Sequence, residues 1–182
     1  MNRPSGPQSG AETPCAAVPA SSPPTPPPPA VELSLRGATA ADLDAIWAIE
    51  SAVFGSDAWS REMMREELAA DHRHYVVLVD GDDAVRGYAG LLTVGAEGDV
   101  QTIAVAPEAR GGGHGRRLME ALLDEAERAG VREVFLEVRA DNPVAQGLYR
   151  SLAFEQLGVR PRYYQPDGVD AVIMKLEMRS RP

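Results

Sequence analysis

The sequence predicts an α+β domain, with a central mixed and mostly antiparallel sheet flanked by helices. Three observations carry this. Composition changes sharply near residue 30. Three β-rich runs then follow one another across short turns, which makes an antiparallel meander. In mid-chain a strand, a glycine loop, a helix and a further strand occur in succession, which is a crossover unit.

Residues 1–30, "MNRPSGPQSGAETPCAAVPASSPPTPPPPA", hold ten of the fifteen prolines and no aromatic residue. Such a segment cannot bury enough surface to offset its ordering entropy, and reads as a disordered or polyproline II tail. It lacks the apolar stretch of a signal peptide. "PPTPPPP" has the composition that proline-reading domains bind, although a solvated appendage needs no such partner. The folded domain is expected over 31–182.

Each element has a local reason. "VELSLRGAT" reads as a strand with Val31, Leu33 and Leu35 on one face. "ATAADLDAIWAIESAVF" carries Leu43, Ile46, Trp47, Ile49 and Ala52 at helical spacing behind a candidate N-cap, Thr39. "WSREMMREELAAD" is a second helix capped by Ser60, with Met63, Met64 and Leu68 as its stripe. "HYVVLVD-GDDA-VRGYAGLLTVG" is a hairpin and "GDVQTIAVA" the third run of the meander. The helix over Gly115 to Ala129 puts Leu118, Met119, Leu122, Leu123 and Ala126 on one face and ends at Gly130, a good C′ residue. "REVFLEVRA" is a strand, "DNPVAQGLYRSLAF" a helix with Pro143 in its first turn, and "AVIMKLEM" the closing strand. The expected order is β-α-α-β-β-β-α-β-α-β.

Bulk properties exclude several classes. A formal charge of −9 argues against general nucleic-acid binding, which wants a basic surface. No run approaches the roughly 18 apolar residues of a membrane span. The single cysteine, Cys15, permits neither an intrachain disulfide nor a thiolate metal site, and this fits a reducing cytoplasm. His72, His74 and His114 have no metal-ligand spacing, so no metal is expected.

The stretch "ARGGGHGRRLMEALLDEAERAG" sets Gly111, Gly112, Gly113 and Gly115 in front of a helix. Bare backbone N–H groups at a helix N-terminus attract anions, and phosphate is the common guest. A tight turn without a ligand is the alternative reading. The loop is not a P-loop, because Arg116 and Arg117 stand where Lys and Ser/Thr are needed. Nor is it a dinucleotide fingerprint, because the third small residue is missing from either start.

What fits is Arg-x-x-Gly-x-Gly at Arg110 to Gly115, after "IAV" and Pro107 and before "GRRLMEALL". This resembles the pyrophosphate signature of the GCN5-related N-acetyltransferases (GNAT), which use acetyl-CoA. Together "LEVRxxN", "LYxSLxF" and "YYxxxxxDAxxM" resemble the RimI-type branch, the ribosomal-protein alanine N-acetyltransferases. The resemblance runs from about Leu35 to Met178. It implies a GNAT acyl-CoA N-acyltransferase fold and acetyl transfer to a protein N-terminus, the alanine of the eighteenth small-subunit ribosomal protein. A lysine or small-molecule amine as acceptor, or a non-catalytic CoA-binding module, are the competing readings.

Two residues are candidates for the chemistry. Glu137 lies mid-strand in "VFLEVR". By itself it is either a carboxylate poised for proton transfer or one paired with Arg139 or a neighbouring strand. Tyr149 shares an apolar helix face with Ala145, Leu148 and Leu152, where a tyrosine is ordinarily core. The resemblance implies that Glu137 is the base, acting through water, and that Tyr149 is the acid beside the thioester sulfur. It further implies that Ile103, Ala104 and Val105 pair with the pantetheine arm. Gly111, Gly112, Gly113, His114, Gly115 and Arg116 would hold the pyrophosphate, with Arg110, Arg117 and Arg150 adding positive charge. Asn142 is an N-cap that also contacts CoA under the resemblance. His114 itself reads as a solvent-facing loop residue. The acceptor is expected between the first helical segment and Tyr163 and Tyr164. Two positions depart from the family pattern: Ala153 replaces a glycine suited to a left-handed cap, and Gly112 replaces a bulkier residue.

Overall fold

A computed structural model describes residues 32–181. The proline-rich tail, Cys15 and Val31 lie outside these residues. The elements are β1 (Ser34–Gly37), α1 (Leu43–Phe54), α2 (Arg61–Ala69), β2 (Arg73–Val79), β3 (Val85–Val94), β4 (Glu97–Val105), α3 (His114–Arg128), β5 (Glu133–Arg139), α4 (Pro143–Ser151), β6 (Glu155–Tyr164) and β7 (Val169–Glu177). They form a seven-stranded sheet in the order β1-β2-β3-β4-β5-β7-β6. Only β4 and β5 pair in parallel; every other pairing is antiparallel.

Alternation along the strands divides the interior into two layers. Val134, Leu136 and Val138 of β5 pack with Leu118, Met119, Leu122 and Leu123 of α3 and with Tyr149 and Leu152 at α4. Ile46 of α1 and Met64 of α2 pack with Tyr75, Val77 and Tyr88 on the opposite face. Each fully buried leucine on α3 contributes roughly 1.5–3 kcal/mol of transfer free energy.

Local signals behave as their chemistry requires. The Ser60 hydroxyl accepts the Met63 N–H at 3.2 Å and starts α2. The Asn142 side chain accepts the Ala145 N–H at 3.1 Å and starts α4, with Pro143 as its first residue. Gly130 follows α3 at φ +75°, and Ala153 follows α4 at φ +66°, a left-handed conformation that costs an alanine about 1 kcal/mol.

The structure corrects the expected order by one strand, because β6 was not anticipated. Its sequence, EQLGVRPRYY, has little alternation and contains Gly158 and Pro161. A proline is tolerated at a sheet edge or a bulge, and β6 is the edge strand, exposed along most of its length, with Pro161 inside the register shift between Arg160 and Tyr164. Three expected core residues also face outward. Trp47 is 38% exposed, Met63 is 49% exposed, and Ala52 is exposed. Thr39 caps a short 3-10 turn at Ala40–Asp42 ahead of α1, and its N–H donates to the Asp42 carboxylate at 2.7 Å.

Candidate active site

The glycine loop ends at Gly113, which caps α3 in the left-handed region at φ +74°; Gly111 is also left-handed, at φ +86°. No side chain adopts these angles cheaply. The first intrahelical bond runs from the Arg117 N–H to the Gly113 carbonyl, so the four preceding amides, Gly113 to Arg116, have no partner within α3. Gly112 is bare for a different reason. A Cβ there would lie 2.5 Å from His114 Nε2, because the half-buried His114 ring folds back over the loop. This corrects the solvent-facing reading: His114 is the first residue of α3, and its Nδ1 is buried without a partner.

The arginines divide. Arg110 Nε donates to the Val105 carbonyl at 3.1 Å, at the end of β4. Arg116 reaches the Ser151 hydroxyl and lies 3.6 Å from Glu120. Arg117 turns away to donate to the Leu33 carbonyl at 2.8 Å, and Arg150 to Gln146 at 3.0 Å. Of the local positive charge expected from sequence, Arg117 is therefore directed elsewhere.

Beyond the loop, β4 and β5 separate. Their parallel ladder runs from Glu97↔Glu133 to Val100↔Leu136 and stops. From there to Val105, β4 remains paired with β3, but its other edge carries no strand. The change coincides with a register shift opposite Gly90 and Leu91, where Gln101 is the extra residue of β4. The backbone around Ile103, Ala104 and Val105 is thus open to an added extended chain.

A cavity of about 210 Å³ fills the separation, and Ile103, Glu137, Asn142 and Tyr149 all line it. Glu137 and Tyr149 reach it from opposite faces of the sheet. Glu137 alternates with the buried Leu136 and Val138 and so faces the α1/α2 layer, whereas Tyr149 belongs to the α3/α4 layer. Tyr149 is 6% exposed, and burial pushes its hydroxyl up to about 12, with Tyr164 adding to the shift. The hydroxyl therefore stays protonated at neutral pH. The ion pair of Glu137 is with Arg160 of β6, Nη1 to Oε1 at 2.9 Å, and not with Arg139.

Arg139 instead ties the rim together. It meets Asp57 at 2.9 Å, Asp141 at 3.0 Å and Asp167 at 3.3 Å, and its guanidinium lies 5.2 Å from the Tyr164 ring centroid. A second hollow, of about 590 Å³, lies on the same side. It shares Asp57, Trp59, Glu137 and Tyr164 with the first, and is also lined by Asp99, Arg160 and Tyr163. Burial, and then the charge of Glu137, hold the Asp99 carboxyl above its ordinary range. Sequence reasoning missed Asp99, Arg160 and Glu50. The last is a glutamate on α1 that is only 1% exposed and lines the first cavity.

The Acetyltransferase (GNAT) family model matches residues 43–154, more than half of the chain. The chain belongs to the GNAT acetyltransferase family. It is 43% identical over 148 residues to the N-alpha-acetyltransferase RimI of Mycobacterium tuberculosis, covering 79% of this chain and 91% of that protein. It is 44% identical over 144 residues to an uncharacterised protein of Mycobacterium leprae, covering 76% of this chain but only 39% of that protein's length. The ribosomal-protein-S18-alanine N-acetyltransferase of Escherichia coli, a crystal structure, superposes with a TM-score of 0.74 at 32% identity, covering 81% of this chain and 94% of that one. Among the described residues, no helix is long and apolar enough to cross a membrane.

Proposed function

We propose that this GNAT enzyme transfers an acetyl group from acetyl-CoA to the α-amino group of a protein N-terminus in the cytoplasm. The acceptor we infer is the N-terminal alanine of ribosomal protein bS18, which the names of relatives at 32–36% identity specify. The observation that carries the reading is the meeting of Glu137 and Tyr149, from opposite faces of the sheet, at the cavity between β4 and β5.

The residues present fit the co-substrate. Gly113, His114, Gly115 and Arg116 offer amides without helical partners to a diphosphate, helped by the helix dipole. Arg110 and Arg116 stand beside them. The free edge of β4 at Ile103, Ala104 and Val105 suits the amide-bearing pantetheine arm, and Asn142 lines the same cavity. When bound, acetyl-CoA supplies an activated acyl group and a thiolate leaving group.

The chain's own groups then have distinct tasks. An α-amino group titrates at about 7.7–8.0, so most of it is protonated at neutral pH and a base is needed. Glu137 takes that proton, through Oε2 or a water, while Arg160 holds Oε1. A main-chain N–H on the open edge of β4 polarises the acyl carbonyl. A hydroxyl held at about 12 is a weaker acid than a thiol near about 8.5. Tyr149 therefore stabilises the departing sulfur by donating a hydrogen bond and keeps its own proton, while the second proton of the acylated nitrogen passes to the departing thiolate or to water. The acceptor reaches Glu137 from the hollow bounded by Trp59, Tyr163 and Tyr164.

The test is mass spectrometry of peptides incubated with the full chain and acetyl-CoA. A peptide beginning Ala-Arg gains one acetyl group on its α-amine, and the same peptide with a blocked N-terminus gains none. Modification confined to lysine side chains or to polyamines would overturn the assignment.

A further inference from the structure

We propose that Glu50, through a buried carboxyl group, is a positioning residue for the acceptor. It fixes the wall along which the acceptor amine reaches the cavity between β4 and β5. The inference rests on the functional reading above and assigns a role to a residue which that reading leaves idle.

A carboxylate that is 1% exposed is costly unless donors surround it. Glu50 has three, and each comes from a different part of the chain. Oε1 accepts the backbone N–H of Trp59 at 2.9 Å. Oε2 accepts the Tyr88 hydroxyl of β3 and, at 3.2 Å, the Thr102 hydroxyl of β4. Burial, and then Glu50 itself, push the Tyr88 hydroxyl above its ordinary range, so it remains a donor.

The positions of these partners give the group its role. Trp59 sits on the α1–α2 connection, and with Asp57 it lines both the cavity and the neighbouring hollow that contains Glu137. Thr102 immediately follows the extra residue Gln101, where β4 leaves β5, and immediately precedes Ile103. One side chain therefore links the acceptor-side wall to the strand segment that presents the acyl carbonyl. Packing alone does not require a glutamate here. A leucine would fill the same space against Ile46 and Tyr88, but it could not accept the Trp59 N–H and would leave a buried donor unpaired. The loop amides at the start of α3 and the capping side chain of Asn142 take no part in this network, so it touches the cofactor only through the β4 segment after Thr102, while Trp59 and Asp57 lie on the acceptor side.

The experiment is steady-state kinetics of the full chain with an Ala-Arg peptide and acetyl-CoA, varying each in turn, together with thermal denaturation. Glu50→Ala raises the peptide KM at least about tenfold while the acetyl-CoA KM changes by less than about threefold. Glu50→Gln keeps an oxygen for Trp59 and an amide for the two hydroxyls, which turn to accept, and restores the peptide KM to within about threefold of the starting enzyme. Tyr88→Phe, which removes one donor and leaves the Trp59 contact, gives a rise between those of the two Glu50 variants. It also carries the test if Glu50→Ala does not fold. Changes of both KM values in step, a lowered melting temperature with an unchanged peptide KM, or no recovery in Glu50→Gln would overturn the assignment. Absence of peptide turnover by the unmodified chain would instead overturn the functional reading. Turnover by that chain with flat variant kinetics would sink the Glu50 role alone.

Discussion

Tyr149→Phe separates a catalytic phenol from a core tyrosine, because the two roles require opposite signs in stability and activity. The Tyr149 ring is almost fully buried and packs 6.0 Å from the Phe154 ring, and phenylalanine keeps that contact. Its hydroxyl is shifted by burial and by Tyr164, with no side-chain hydrogen bond contributing. Burying a hydroxyl without a partner costs about 1–3 kcal/mol, only part of which is relieved by the opening toward the cavity. Removing the oxygen should therefore leave the fold as stable as before, or up to about 1 kcal/mol more stable. Turnover should nevertheless fall about 100-fold or more, the usual scale for losing one hydrogen-bond donor to developing negative charge. Acetyl-CoA affinity should barely change. The assay pairs urea denaturation with single-turnover acetylation and calorimetric titration of CoA. The phenol titrates at about 12, so the pH–rate profile of the unmodified enzyme should show no descending limb from Tyr149 below about pH 11. A variant destabilised by more than about 1 kcal/mol with undiminished turnover would make Tyr149 a core residue and remove it from the mechanism.

Two further outcomes follow from backbone and charge. Gly113 and Gly147 both have open space where a Cβ would go, yet only Gly113 has a left-handed φ. Gly113→Ala should lose about 1 kcal/mol and weaken acetyl-CoA binding, whereas Gly147→Ala, inside α4, should gain about 1 kcal/mol; melting curves and CoA titration read both. The Arg36 guanidinium, which meets Asp42 at 2.8 Å, holds the Asp42 carboxyl at about 2, below its ordinary 3.8. A depressed carboxyl contributes stability above its unfolded value that disappears as pH falls through its folded value. About 2 kcal/mol should therefore be lost between roughly pH 4 and pH 2, a slope that Asp42→Asn abolishes in acid-denaturation curves.

Elements specified by their neighbours in sequence are legible in the sequence itself. The Ser60 and Asn142 caps, the Gly130 stop and the α3 stripe each depend on residues within about one turn. β6 depends instead on its ladder with β7, which is long-range pairing, and Pro161 and Gly158 mask it. The Arg160 partner of Glu137 is masked for the same reason, since it lies on β6. Glu50 is masked because the inward face of a helix is marked by its apolar residues, and a carboxylate gives no such mark. It stands four positions after Ile46 and seven after Leu43, an inward position by helical spacing, while Trp47 beside it points out. A charged residue on a buried stripe was the available signal.

The site also depends on a feature that residue identities do not encode. A sheet keeps its two faces apart, so the proposed base on the α1/α2 face and the proposed hydrogen-bond donor on the α3/α4 face could not ordinarily serve one reacting carbon. Here they can, because the β4–β5 ladder ends at Val100↔Leu136. Were it to continue through Thr102 and Val138, main-chain pairing would close the cavity, consume the free edge of β4 and seal Tyr149 away from Glu137. The extra residue at Gln101 prevents this by shifting β4 against β3 where the two strands part, since a bulge increases local twist. The proposed roles of Glu137 and Tyr149 therefore require this separation as well as the two side chains, and the one-residue shift in β4 gives both a common cavity.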